Sequence, residues 1–279
     1  MQRPNTLWRL YVAGFYLFLF APLATVAVFA FNASAFPSPP WKGFTLAWFI
    51  GSGGEFGKPG VLRDRAMLGS IAASFKVAVP VAVLAVVLGT ANAFLLERAR
   101  FRGKTVVAMM MLWPLVIPGV ILGISILAFF SRLANGLEDW LQRDLDFLRP
   151  GLTLIVLGQL SFILSLSTLI IAARLRRFDR ALEEAAFDLG ASRLRVLRTV
   201  TLPYLRPALV GAGLVALLMS FENFNTTLML VGSEPPLPVY MYGQMREGAT
   251  PAVNAVSLLL MLFAGGLAAI AVLGSRRPA

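Results

Sequence analysis

Residues Asp179 to Pro207 read DRALEEAAFDLGASRLRVLRTVTLPYLRP, a polar, arginine-rich island between two long apolar runs. Two short helices are predicted here. Asp179 can cap the first by accepting from a backbone N–H two or three residues on. Leu182, Ala185, Ala186 and Leu189 recur at helical spacing on one narrow face, with Glu183, Glu184, Phe187 and Asp188 around the other side. Gly190 suits a C-terminal stop, since glycine takes up left-handed backbone without a Cβ penalty. Ser192 can cap the second helix, which carries Arg193, Arg195 and Arg198, and Pro203 and Pro207 mark the start of the next apolar run. A solvated connection between two membrane helices would account for the composition alone. Ala185 and Ala186 beside Gly190 speak for more, a small flat surface on which another protein can dock closely.

Outward from this island the chain is apolar. Of its 279 residues 58% are hydrophobic and 14% charged, and mean hydropathy is +0.76, unlike an ordinary soluble domain. It contains no cysteine and no histidine. Thiol nucleophiles, disulfides, Ser-His-Asp triads and His/Cys metal sites are thereby excluded, and neither a cofactor nor a catalytic residue is expected. No stretch matches G-x-x-x-x-G-K-[ST], so ATP cannot be cradled by this chain. Energy for any driven work must come from a separate subunit or an ion gradient. The net charge of +11 raises the question of nucleic acid. The basic residues cluster in short loops beside apolar spans, however, where they read as topology signals in contact with membrane lipid.

Six runs reach the ~20 residues that a crossing helix needs: residues 10–31, 67–96, 105–130, 151–173, 208–231 and 252–273. Ala33-Ser34-Ala35 imitates a signal-peptidase site, but the first run exceeds the ~7–15 residues of a signal core, which favours a retained helix. Asn32 to Arg65 reads as a Pro- and Gly-rich loop, with Trp41 and Trp48 near the membrane interface and Gly51 to Gly57 flexible. Pro114 and Pro118 should bend the third run. Residues 131–150 place Leu133, Leu137, Trp140, Leu141 and Leu145 at helical spacing, as in a short amphipathic helix on the outer face. Residues 232–250 read as an outer loop. The lead, the turn at 97–104, the segment 174–207 that contains the island, and the tail hold 16 Lys and Arg, against 8 in the three opposite loops. The first set is therefore expected to be cytoplasmic, with both termini.

Two ionisable residues fall inside spans. Lys76 is near a span end and can snorkel. Glu222 falls near the middle of the fifth run, flanked by Ser220, Asn223, Asn225, Thr226 and Thr227. So polar a run cannot face lipid. It is either a helix–helix hydrogen-bond cluster or the lining of a translocation path. A secondary transporter would show internal pseudo-repeats or interrupted spans in corresponding halves, and neither is visible. A membrane scaffold that transports nothing would not need the polar run.

Glu184-Ala185-Ala186, then Gly190 after three residues and Val200-Thr201-Leu202-Pro203 after nine more, resembles the EAA signature of binding-protein-dependent ABC importer permeases. That signature usually has isoleucine in place of Val200. The resemblance implies an all-α, polytopic, type I importer permease (MetI-like) fold, with residues 1–279 as a single domain and 174–207 as the coupling loop. Glu183, Glu184, Ala185, Ala186, Asp188, Gly190, Leu202 and Pro203 would be the ATPase-coupling residues. The implied partners are cytoplasmic ABC ATPase subunits, a second and similar permease subunit, and an extracytoplasmic solute-binding protein. Ser220-Phe221-Glu222-Asn223-Phe224 and the segments 237–242 and 248–255 resemble spermidine/putrescine-type permeases. On that likeness Ser220, Glu222, Asn223, Asn225 and Thr226 would line the translocation path for a polyamine. Such permeases often carry a second acid where this chain has Asn223, and relatives for ferric iron, phosphonates or other organic cations share the outline.

Overall fold

The computed structural model describes residues 6–53, 56–248 and 250–275, with side-chain surroundings as far as residue 269. Gly54, Glu55, Ala249 and the terminal arginines Arg3, Arg276 and Arg277 lie outside the described residues. In chain order the helices are α1 (Thr6–Phe29), α2 (Ala47–Ile50), α3 (Arg65–Arg98), α4 (Lys104–Val116), α5 (Gly119–Leu141), α6 (Leu152–Arg176), α7 (Ala181–Asp188), α8 (Arg193–Val196), α9 (Leu202–Glu222), α10 (Asn225–Leu230), α11 (Leu237–Gly248) and α12 (Pro251–Ser275). Among the described residues there is no strand, only an isolated bridge between Asn32 and Phe44. Among the described residues six stretches are long and apolar enough to cross a membrane: Thr6–Phe29, Arg65–Arg98, Gly119–Leu141, Leu152–Arg176, Arg193–Glu222 and Pro251–Ala269.

Contacts gather the chain into two units, residues up to 69 with 240–266, and residues 70–239 with those from 267. In the first unit the segment after α1 is pinned by Asn32. Its amide donates to the Pro40 carbonyl at 3.3 Å and accepts from the Lys42 N–H at 2.8 Å, while its carbonyl accepts from the Trp48 indole at 2.9 Å. Trp48 is buried and stacks on Phe56. The structure makes this residue the core of a folded connection. Asp64 caps α3 by accepting from the N–H groups of Ala66 (2.9 Å) and Met67 (3.0 Å). Its other oxygen accepts from the Tyr240 hydroxyl at 3.4 Å. Burial first, then the nearby Asp64 charge, pushes that phenol above its usual range.

The second unit is built round α6, which is apolar on every side; a helix of that kind needs cover all round. Leu154, Ile155, Ile163 and Ile171 are fully buried. One cluster joins the first three of these to Val77, Val81 and Ala85 of α3, Ala216 of α9 and Leu230 of α10. A second joins Ile171 and Leu175 to Ala93, Phe178, Leu205 and Ala212. Lipid is as apolar as leucine, so close packing permitted by Ala85, Ala93, Ala212 and Ala216 holds these helices, rather than escape from water.

Four expectations about the elements need correction. The third run is broken, not bent. Ile117 is extended (φ −75°, ψ 128°), as a residue before proline prefers, and α4 stops at Val116 while α5 starts after Pro118. Thirteen residues of α4 span about 20 Å, short of a ~30 Å hydrocarbon core. The amphipathic stretch from 131 is no separate surface helix but the continuation of α5 to Leu141, where Gln142 turns left-handed (φ 53°). A short turn at Asp146–Leu148 follows, fastened by the Glu138–Arg149 ion pair. The fifth run is displaced: the helix runs from Arg193 through a π-helical turn, Leu197–Thr201, to Glu222, and α10 follows a break. The supposed loop 232–250 contains α11.

Candidate coupling and translocation sites

The island folds largely as its caps dictate. Asp179 accepts from the Ala181 N–H at 3.0 Å, and Ser192 from the Arg195 N–H at 3.4 Å. At the end of α7, Ala191 N–H donates to the Ala186 carbonyl (3.0 Å) and Gly190 N–H to that of Phe187 (2.8 Å), with Gly190 at φ +81°. This is a Schellman stop, and its left-handed residue is the glycine. The turn leaves apolar side chains open: Leu182 and Leu189 on one face and Phe187 on the other side are exposed, Leu189 to 89%. Glu184, Ala185 and Asp188 are exposed with them, and Ala186 is half-buried. Leu202 is half-buried and Pro203 exposed in the first turn of α9.

Glu183 differs from its neighbours. Arg98, the last residue of α3, grips its carboxylate with two donors at 2.6 and 3.1 Å, and the Thr201 hydroxyl donates to the same group at 2.5 Å. The Arg98 guanidinium lies over the rings of Phe178 (5.5 Å) and Phe94 (6.0 Å). Burial alone would raise the Glu183 carboxyl; the Arg98 and Thr201 hydrogen bonds, with the Arg98 and Arg180 charges, outweigh it and hold the group below its usual value. Beside this pair, Arg176 donates to Glu97 at 2.7 Å.

The polar run at 220–227 divides into two sets. The Ser220 hydroxyl donates to the Gln159 carbonyl oxygen, and the Gln159 amide donates to the Thr227 hydroxyl at 2.8 Å. Thr227 in turn donates to Asn223 through its hydroxyl (3.1 Å) and its N–H (3.3 Å). This chain of bonds stitches α6, α9 and α10 together. Thr226 is buried and donates to the Gly119 carbonyl at 3.2 Å. Ser220, Asn223 and Thr226 are thus engaged within the protein. Glu222 and Asn225 are exposed, and among the described residues Glu222 has no ion-pair partner. Gln159 does not stand out in the sequence. Its only signal there is a single amide in the otherwise apolar stretch Val156 to Leu160.

Helix α9 ends at Glu222 because Asn223 takes an extended conformation (ψ 110°); its side-chain oxygen accepts from the Thr227 N–H in the first turn of α10 at 3.3 Å, local bonding that disfavours asparagine in a helix interior. Glu222 therefore sits at a helix end, not in the middle of a crossing helix. Glycines make room for α10. A Cβ at Gly123 would stand 2.8 Å from the Met229 Cβ, and one at Gly119 would stand 3.1 Å from the Asn225 Cβ. Near Glu222 in sequence, Phe221 meets Phe75 edge to face at 4.9 Å. Lys76, expected to snorkel, instead donates to Glu234 at 2.9 Å, with both side chains more than half exposed.

The profile of the family described as "Binding-protein-dependent transport system inner membrane component" matches residues 85–276. The chain belongs to that family. It is a multi-pass inner-membrane transport component and not an enzyme. It is 34% identical over 258 residues to the putrescine transport system permease protein PotI of Escherichia coli (strain K12), covering 91% of this chain and 85% of that protein. Identity to the spermidine/putrescine transport system permease protein PotC of the same strain is 28% over 253 residues, covering 90% and 87%. The fold matches a chain in the crystal structure of a bacterial ABC transporter involved in the import of the acidic polysaccharide alginate, at TM-score 0.70 and 17% identity, over 96% of this chain and 94% of that one. This family member thus has the permease fold that its α7 turn and six apolar stretches imply.

Proposed function

We propose that residues 1–279 act as one permease domain of an ATP-driven importer for a polyamine, with Glu222 as a contact for the substrate's ammonium groups. The relatives named for putrescine and spermidine support that substrate class. In this reading the chain pairs with a second permease subunit and receives solute from an extracytoplasmic binding protein. ATP is hydrolysed in separate cytoplasmic subunits that dock on α7. The exposed Leu182, Ala185 and Leu189 share one face of α7, the kind of apolar patch that marks a docking site. The end of the molecule carrying α7 is cytoplasmic, as its arginines require.

The observation that carries the substrate reading is the exposed carboxylate of Glu222 beside the break at Asn223. Interrupted backbone at membrane depth is tolerated where it is buried in protein or lines a cavity, and an ionised group there needs water or a counter-charge. A passing primary ammonium supplies that charge. Asn225, exposed on the first turn of α10, can replace part of its hydration. Ser220, Asn223 and Thr226 support the path from behind, by fixing α9 and α10 against α5 and α6.

Glu222→Gln keeps the shape and removes the charge. Uptake of radiolabelled putrescine should fall by about 10-fold or more, as when a charge-assisted hydrogen bond of ~1.5–3 kcal/mol is lost, while the partner subunits still co-purify. Undiminished uptake would take Glu222 out of the path.

A further inference from the structure

We propose that Arg98, Glu183 and Thr201 form a lock that makes α7 move as one body with α3 and α9, and that Arg98 is a positioning residue for energy coupling. The proposal rests on the reading of α7 as the surface on which the ATPase docks. Helix α7 is eight residues long, with an open apolar face, and a helix so short does not hold its own conformation or place in water. Some contact must turn a push on it into movement of the spans.

The Glu183 carboxylate is where three elements meet. It belongs to α7, receives a two-pronged grip from the end of α3, and accepts from Thr201 at the foot of α9. Side-chain exposures of 21% for Arg98 and 16% for Glu183 set this pair apart from the exposed Lys76–Glu234 pair, at 58% and 57%. A planar guanidinium with two parallel donors fixes orientation as well as distance. Here Phe178 and Phe94 hold its faces, and Phe178 is itself packed edge to face on Tyr204 of α9. A lysine at position 98 would keep the charge and lose the fork.

The two helices so joined are the longest continuous ones among the described residues. Helix α3 runs unbroken for 34 residues, and the stretch Arg193–Glu222 runs for 30. At ~1.5 Å per residue the second is about 45 Å long, and its far end is Glu222. The π-helical turn Leu197–Thr201, a local irregularity of a kind often found at functional sites, directs Thr201 at the carboxylate. A displacement of α7 is therefore delivered to the helix that ends at the proposed substrate contact.

The test uses the complete complex, reconstituted in vesicles with its ATPase, second permease subunit and binding protein, with radiolabelled putrescine as probe. Arg98→Gln, Arg98→Lys and Glu183→Gln should retain the ATPase yet lose putrescine uptake by about 5- to 150-fold, the range of an ordinary coupling free energy. ATP hydrolysis in these variants should no longer rise when loaded binding protein is added. Thr201→Val should lose less. The exchanged pair Arg98→Glu with Glu183→Arg should recover uptake that either single reversal abolishes. Wild-type uptake in Arg98→Gln and Glu183→Gln would overturn the lock, as would well-accumulated single and exchanged reversals that are equally dead. Should the single variants fail to accumulate, recovery of both abundance and uptake in the exchanged pair supports the lock, and failure to recover either overturns it. Failure of the docking reading is seen separately, as normal ATPase retention and uptake in Glu184→Lys, a change on the exposed side of α7.

Discussion

At Glu183 a single carboxylate carries three hydrogen bonds, and its proton competes with all of them. The folded protein holds this carboxyl below its ordinary value of 4.5, so it binds the proton less readily than an unfolded chain does. Its contribution to stability is fully present above that ordinary value and is lost as pH falls through the lower, folded one. The Glu183→Gln variant should accordingly be less thermostable than the parent at pH 7. The difference should close progressively below about pH 4.5 as the parent's carboxyl also protonates. A difference that stayed constant into acid would mean the charge is not what binds α7 to Arg98. The island's caps are legible because each depends on one residue and its own backbone: Asp179, Gly190 and Ser192 act where their chemistry says. Sequence alone groups Glu183 with Glu184 as a docking residue, and only the approach of Arg98, 85 positions away, separates the two. Gln159 is illegible for the same reason, since its partners lie 61 and 68 positions away.

Among the elements, α10 is held in a slot cut by glycine. Gly123 faces Met229, where an added Cβ would lie 2.8 Å from that residue's Cβ and 3.1 Å from the Thr226 carbonyl oxygen. Both neighbours are near the backbone and cannot swing away. Gly123→Val should therefore displace α10 and lower the thermal midpoint of the purified complex, as overpacking costs ~1–3 kcal/mol. At Gly211 of α9 an added methyl group would meet nothing within 4 Å. Gly211→Ala should be neutral or stabilising by up to ~1 kcal/mol, since it only removes backbone freedom from a helix interior. Equal midpoints for the two variants would show that α10 is not seated by close contact. The same slot explains a misread boundary. Apolar content across 208–231 reads as one span, because hydropathy sums residues without asking where the backbone turns extended. It does so at Asn223, and the helix breaks there. Pro114 and Pro118 are both legible as irregularities. Proline is tolerated inside α4 at Pro114, and the break falls at Ile117, where the following proline favours extended backbone.

For the whole molecule, the six apolar stretches among the described residues follow directly from composition, and if all six cross, the two ends of the chain share a side. Which side is a matter of charge. The proposed cytoplasmic set outnumbers the opposite loops by 16 Lys and Arg to 8. The segments 97–104 and 174–207 carry most of that excess and also hold the Arg98–Glu183 lock. Positively charged loops resist translocation, so these segments should stay cytoplasmic. The absence of native cysteine makes the assignment directly measurable. Single cysteines at Arg102 and Arg195 should resist a membrane-impermeant maleimide applied to intact spheroplasts and react after lysis. Cysteines at Lys58, Arg143 and Arg246 should react before lysis. The break at Ile117 leaves this expectation unchanged, although α4 is too short to cross alone. If α4 and α5 together make one crossing, Arg102 and Arg143 fall on opposite sides. If α4 instead dips in and returns, leaving α5 to cross alone, Arg102 would share a side with Gly119, and the pattern would still put Arg143 opposite. Labelling of Arg195 from outside fits neither arrangement. It would detach α7 from any cytoplasmic ATPase, and with it the proposed route from ATP to Glu222.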